Sequence, residues 1–338
     1  MKLATYRDGS RDGQLLVVSR DLGLAHYATG IASRLQQVLD DWDFLAPQLH
    51  ALYVQLNTGK APHAFAFDPR QCMAPLPRAY QCVQATAYLA APERQYQLRQ
   101  QPLPASFYTE PQLHDGSGGA AFLGPCDEVV VPSEAMGIDL AAGLAAITGD
   151  IPRGSTPAQA LGAIRLLMLT GDVVLRQLEQ ANTAAGHLHS HPATACSPVA
   201  ITPDELGPAW QEGRVHLTLQ LACNGRKLGL CDTGPSMHFH FGQLLAQGCK
   251  TRPWQAGAIL GSGAVSHPGA SNPQGQTDDW PQGACSIADK RAIETLHQGR
   301  TRTPFLRYGD TVRADMKGKD GHSLFGALEL TIAAPQET

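Results

Sequence analysis

Two periodicities alternate along the chain. The run GQLLVVSRD, set behind an RDG turn, has the short apolar character of a buried β-strand. Beyond it, Ile31, Leu35, Leu39 and Trp42 recur at helical spacing and predict a helix. Pro47 lacks an amide hydrogen and is expected to break that helix, with a second one following to about Asn57. These elements form a small N-terminal unit that ends near PLPRAY, Pro75 to Tyr80, so the expected division is residues 1–76 and 77–335.

The second part is rich in glycine, proline and short apolar runs. GSTPAQALGAIRLLMLTGD predicts a helix with Thr156 as its N-cap and Pro157 at its first position. RVHLTLQLACNGRKLGLCDT is a β-hairpin pattern, in which Val215, Leu217, Leu219 and Leu221 alternate with polar residues up to an Asn224-Gly225 turn. FHFGQLLAQGCK predicts a short helix, and GDTVRADM and SLFGALELTIA predict closing strands. The stretch from Ser266 to Gly283 has no periodicity and predicts a long loop, mobile or acting as a lid. Strands dominate over a few helices, which is the α+β class.

Composition narrows the function. Hydrophobic residues make up 43% of the 338 and charged residues 17%, as in a folded globular protein. Lys+Arg number 26 against Asp+Glu 30, for a net charge of -4, and no basic block stands out, so no nucleic-acid partner is expected. MKLATYRDGSRDG has no apolar signal core, and no later run approaches the roughly 18 apolar residues of a membrane span. The expectation is a cytoplasmic protein with no membrane partner. The eight cysteines are scattered without a CxxC pair, so they read as reduced core thiols rather than zinc ligands. Cys196 is a nucleophile on paper only, since no histidine–carboxylate partner is assured. His240 in MHFHFG reads as structural.

The stretch GHLHSHPATACSP places His187, His189 and His191 at alternate positions, on one face of an extended segment. Three readings stay open here. The imidazoles could form a transition-metal site with Asp172, work as metal-free acids and bases, or belong to a solvated segment that tolerates histidine.

Five segments together carry a resemblance: ITGDIPRGSTPAQALGAIRLLMLTGDVVLRQL, PATACSPVAITPDELG, NGRKLGLCDTGPSMHFHFGQLLA, AGAILGSGAVSH and FLRYGDTVRADM. In this order they resemble the fumarylacetoacetate hydrolase family over nearly the whole chain. The resemblance implies a small N-terminal domain, a C-terminal mixed β-roll that holds the active site, and a homodimer. It also implies cleavage of carbon–carbon bonds flanked by carbonyls, with decarboxylation or isomerisation of related 2-oxo acids in some members. In the family a Mg²⁺ or Ca²⁺ held by carboxylates stabilises the enolate, and a histidine activates water.

Carried over residue by residue, most of that machinery is missing. Ala141 and Gly143 stand where the family has its Glu-x-Glu pair, Gln84 where it has an aspartate, and Ala91 where it has the water-activating histidine. Asp172 and Arg176 are retained in TGDVVLRQ and would form an ordinary i,i+4 ion pair if that segment were helical. His191 replaces the family lysine, His114 a tyrosine, and Ala264 a threonine. One carboxylate does not hold Mg²⁺ against its hydration shell, so no metal and no other cofactor is expected.

The expected catalytic groups are therefore His191, His114 and Asp172. Arg176, His189, His187, Ser262 and His267 are expected to contact a small-molecule substrate. The leading reading is a metal-independent enzyme for enolisation, cyclisation, dehydration or condensation of a β-dicarbonyl or polyketide-like molecule. The alternatives are a catalytically silent homologue, acting as a binding protein or as partner of an active paralogue, and a residual C–C hydrolase.

Overall fold

The computed structural model describes residues 1–117, 121–181, 189–268 and 283–336. The strands of the N-terminal unit are β1 (Lys2–Tyr6), β2 (Gln14–Val18), β3 (Leu24–Tyr27) and β4 (Phe65–Ala66), with helices α1 (Leu35–Asp40) and α2 (Trp42–Asn57). Next come β5 (Cys82–Ala85), α3 (Ala90–Leu98), α4 (Ser106–Thr109), β6 (Leu113–Asp115), β7 (Phe122–Leu123) and β8 (Glu128–Val130). The long strands β9 (Ile138–Thr148) and β10 (Ile164–Leu175) flank α5 (Pro157–Gly162). They are followed by α6 (Arg176–Ala181), β11 (Ala193–Cys196), β12 (Ala200–Ile201), β13 (Trp210–Gln211) and β14 (Arg214–Val215). The chain continues with β15 (Thr218–Cys223), β16 (Arg226–Asp232), α7 (Phe241–Gly248), β17 (Ile259–Gly261), α8 (Ile287–Gln298), β18 (Thr311–Met316) and β19 (Leu328–Ala333).

One mixed sheet runs β4-β3-β2-β1-β12-β10-β9-β17-β5-β6, with β11 further along the edge of β10 that β12 occupies and β7 beside β11. A second sheet runs β16-β15-β18-β19-β8. The pairing of Lys2 with Ile201 sews the N-terminal unit into the large sheet. Among the described residues no helix is long and apolar enough to cross a membrane.

Every residue of β9 is buried, and so is nearly every residue of β10, because helices and the second sheet cover both faces. This explains the near-continuous apolar run IRLLMLT. Thr156 caps α5 as expected, through its Oγ1 and the Gln159 amide, but the helix stops at Gly162. The remainder of that stretch is a twelve-residue strand, since a fully buried apolar run satisfies either period and here the sheet claims it. Pro47 does not break the first helical pair. The break is at Asp41 (φ −131°, ψ 52°), and α2 runs through Pro47. The hairpin is formed as expected, with Asn224 and Gly225 both at positive φ (49° and 73°), the geometry of a type I′ turn. Most of the predicted loop after Ser266, residues 269–282, lies outside the described residues.

The large sheet curls on itself. Gln84 on β5 hydrogen-bonds Asp172 on β10, and the His114 ring of β6 lies 6.3 Å from the His191 ring just before β11. The curl is possible because small residues line the contact. A side chain at Gly143 would collide with the Gly263 carbonyl oxygen and meet Ser262 Oγ at 3.1 Å. Gly143→Ala is therefore expected to lower stability by about 1–3 kcal/mol, read from a urea midpoint; an unchanged midpoint would mean that this contact is loose.

Candidate functional site

The site is built where β9, β10 and β11 meet β5 and β6. Antiparallel pairing sets Asp172 opposite Ala141 on one side and Thr194 on the other, so the three side chains share a face. Thr194 Oγ1 donates to Asp172 Oδ1 at 2.6 Å, and Gln84 Nε2 donates to the same oxygen at 2.9 Å. Gln84 is 4% exposed, and its Oε1 is buried without a hydrogen-bond partner among the described residues. In strand register Gln84 opposes His114. His114 and His191 are both half-buried, with ring planes inclined at 55°. Ser190 Oγ lies 3.1 Å from His191 Nδ1, and Ser117 Oγ donates to the His191 carbonyl at 3.1 Å.

Three expected catalytic residues thus converge: His114 and His191 directly, and Asp172 through Gln84. The other expectations fare differently. His187 lies outside the described residues. His189 is exposed in a turn, and strand geometry begins only at Ala193, so the described part of the segment does not hold the alternation that a shared imidazole face needs. Arg176 does not pair with Asp172, because Asp172 lies inside a strand while Arg176 opens a helix. Instead its Nε and Nη2 hold Asp139 Oδ2 at 2.9 and 2.8 Å, and Nη1 reaches Glu179 at 2.8 Å. Asp139, fully buried, also accepts the backbone amides of Ile287 and Ala288 at the start of α8 (2.6 and 3.2 Å). Arg176 thereby clamps the start of α6 to Asp139 of β9.

Ser262 is likewise spent on the fold. It is fully buried, accepts the Leu144 amide at 3.1 Å and donates to the Gly263 carbonyl at 2.9 Å. His267 is half-buried, and its carbonyl accepts the Arg94 guanidinium. Arg94 is in turn locked to Asp289 at 2.7 Å, a buried pair joining α3 to α8 that no local pattern announced. Thr194 was also missed by sequence reasoning, although it is found by extending the β10–β11 register once Asp172 is placed on a strand. Cys196 is fully buried and its thiol is held well above the usual range by that burial, so it is not a nucleophile. His240 caps α7 by accepting the Gly242 amide at 3.1 Å.

The donor set does not suit the divalent ion of the resembling family. Ala141 offers no ligand, and Gly143 has no room for a longer side chain. Gln84 supplies a neutral amide where the family has a carboxylate, and the carboxylate Asp139 is committed to Arg176 and α8. Among the described residues no three His, Cys, Asp or Glu side chains are grouped to hold a metal.

Asp172 is 7% exposed. Burial pushes its carboxyl from the ordinary 3.8 up to about 6, against the opposing pull of Thr194, Arg176 and Gln84. Between those two pH values the folded chain keeps a proton that the unfolded chain has released. This carboxyl's contribution to stability is thus full in acid, falls as pH rises towards 6, and is level above it. The loss amounts to roughly 3 kcal/mol. Asp172→Asn should therefore gain roughly that much on the unsubstituted protein between pH 4 and pH 7 in paired urea titrations. A difference that does not change with pH would show that Asp172 ionises normally.

Comparison with known proteins agrees with this architecture. The model of the "Fumarylacetoacetase N-terminal domain 2" matches residues 1–78, and that of the "Fumarylacetoacetate (FAA) hydrolase C-terminal" domain matches residues 81–333. No curated protein sequence matches. Among solved structures, a probable 2-hydroxyhepta-2,4-diene-1,7-dioate isomerase from Mycobacterium abscessus is similar at a TM-score of 0.67 and 15% identity, over 100% of both chains. A fumarylacetoacetate hydrolase from Exiguobacterium antarcticum is similar at 0.63 and 16%, over 99% of this chain and 100% of that one. Maleylpyruvate hydrolase from Sphingobium sp. SYK-6, solved with manganese(II) and pyruvate, is similar at 0.62 and 15%, with the same coverage. The two family models together span nearly all of the sequence: the chain belongs to the fumarylacetoacetate hydrolase family.

Proposed function

We propose that the protein is a metal-independent proton-transfer enzyme acting on a β-dicarbonyl or polyketide-like small molecule, rather than a C–C hydrolase. The observation that carries this reading is the meeting of His114 and His191, 6.3 Å between ring centres, beside carboxylate positions that are vacant or already engaged. Imidazole is the side chain suited to exchanging protons near neutral pH. The carbon between two carbonyls is acidic enough to need only a modest base. One neutral imidazole takes that C–H proton, and the bond's electron pair moves into the enolate. The second ring, protonated, donates a hydrogen bond to the enolate oxygen. Returning the proton at another carbon gives isomerisation, and loss of hydroxide as water gives dehydration.

The relatives' names support a small carbonyl substrate, since they include isomerases as well as hydrolases. With this reading we propose a homodimer in the cytoplasm, divided near residue 76 into an N-terminal unit and a catalytic unit that ends near residue 335.

A second reading, a silent binding homologue, is favoured by one observation: where the family carries carboxylates, Gly143 packs against Gly263 and Gln84 is bonded to Asp172. One experiment separates the two. Exchange of the central C–H of 3-methylpentane-2,4-dione into deuterium oxide is followed by NMR with EDTA present. The enzyme reading expects exchange above background, unaffected by the chelator. It also expects each of His114→Ala and His191→Ala to cost about 10²–10⁴-fold. Undiminished exchange in the double variant, or its loss on chelation, refutes the enzyme reading. Saturable diketone binding without exchange establishes the silent one.

A further inference from the structure

Away from these residues, a cleft of about 450 Å³ opens on the second sheet, a volume suited to a small metabolite. Strand register explains its floor. Thr218 opposes Asp232, and Gln220 opposes both Leu230 and Asp315, so these side chains share one face. Leu217, Leu230 and Pro235 supply apolar surface. The two acids are already engaged. Asp315 accepts Ser323 Oγ at 2.6 Å and Arg313 at 3.0 Å, and Asp232 accepts Thr218 Oγ1 at 2.6 Å.

The cations of the cleft are in the opposite condition. Lys317 and Lys319 line it on either side of Gly318, in a turn closed by the Gly318 amide on the His322 carbonyl at 2.9 Å. Neither ammonium has an ion-pair partner within 4.0 Å among the described residues. His216 also lines the cleft. Its ring rests on the backbone of Gly234, where any side chain would strike the imidazole, so its position is set by packing.

We propose that this cleft binds a small organic monocarboxylate, its head between Lys317 and Lys319 and its hydrocarbon body over Leu217, Leu230 and Pro235. Two ammonium groups without an ion pair among the described residues call for an anion. The apolar floor calls for a hydrophobic body. The neighbouring carboxylates of Asp232 and Asp315 repel a second negative charge, which disfavours a phosphate dianion. None of these residues belongs to the His114–His191 site, so this inference stands or falls apart from the proposed activity.

The test uses 3-phenylpropionate as probe, with its neutral amide and phenyl phosphate beside it, in ligand-observed NMR titrations of the full chain at low salt. Expected are saturable binding of the carboxylate, at least about tenfold weaker binding of the amide and the phosphate, and at least about tenfold weakening in a Lys317→Gln/Lys319→Gln double variant. The exposed positions of these lysines keep that variant folded, which thermal melting verifies. His191→Ala leaves the affinity unchanged. Equal binding of acid and amide, an unaltered double variant, or loss of binding in His191→Ala instead would each overturn the proposal. So would a change of oligomeric state in the double variant, because the cleft would then be a surface between copies.

Discussion

The hydrogen bonds that converge on Asp172 Oδ1 from Gln84 and Thr194 are the constraint around which the rest of the roll is arranged. They join β5, β10 and β11 across the curl of the sheet and bring β6, with His114, to the chain just before β11, with His191. A carboxyl buried this deeply is stable only with donors at its oxygen or a proton on it, and here it has two donors and a raised affinity for a proton. The short side chains facing it are part of the same arrangement. Ala141 stands beside Asp172, and Gly143 lets the Ser262–Gly263 turn press onto β9.

This arrangement redistributes charge relative to a metal-centred site. Negative groups near the roll are each answered by protein donors: Asp139 by Arg176 and two amides of α8, Asp289 by Arg94 and Ser266. Buried acids that are fully hydrogen-bonded within the chain rigidify it, and they have little left to offer a cation. The two imidazoles, His114 and His191, remain half-exposed.

Local and regional features of the fold were legible in the sequence. The Asn224-Gly225 turn, the Thr156 cap and the short helix begun by His240 are set by residue chemistry within a few positions, and the structure has all three. The family was legible too, because several motifs keep their order along the chain. Features that depend on partners far along the chain were not. Arg176 meets Asp139 instead of Asp172 because β10 ends between Asp172 and Arg176, which no i,i+4 rule can see. Ser262 looked available for a substrate, yet the close approach of β9 and the 262–263 turn buries it. The three alternating histidines promised a shared face only if their segment was extended, and the described part of it turns at His189 and Ser190. Pro47 sits inside a helix because the tertiary packing of α2 outweighs the one amide hydrogen bond that it forgoes.

The buried carboxyl of Asp172 is bonded internally, by Gln84 and Thr194. Isothermal titration of the protein with manganese(II) at pH 7 tests this most directly. No saturable site is expected in the micromolar range. Micromolar binding of one equivalent that disappears in Asp172→Asn would contradict the assignment.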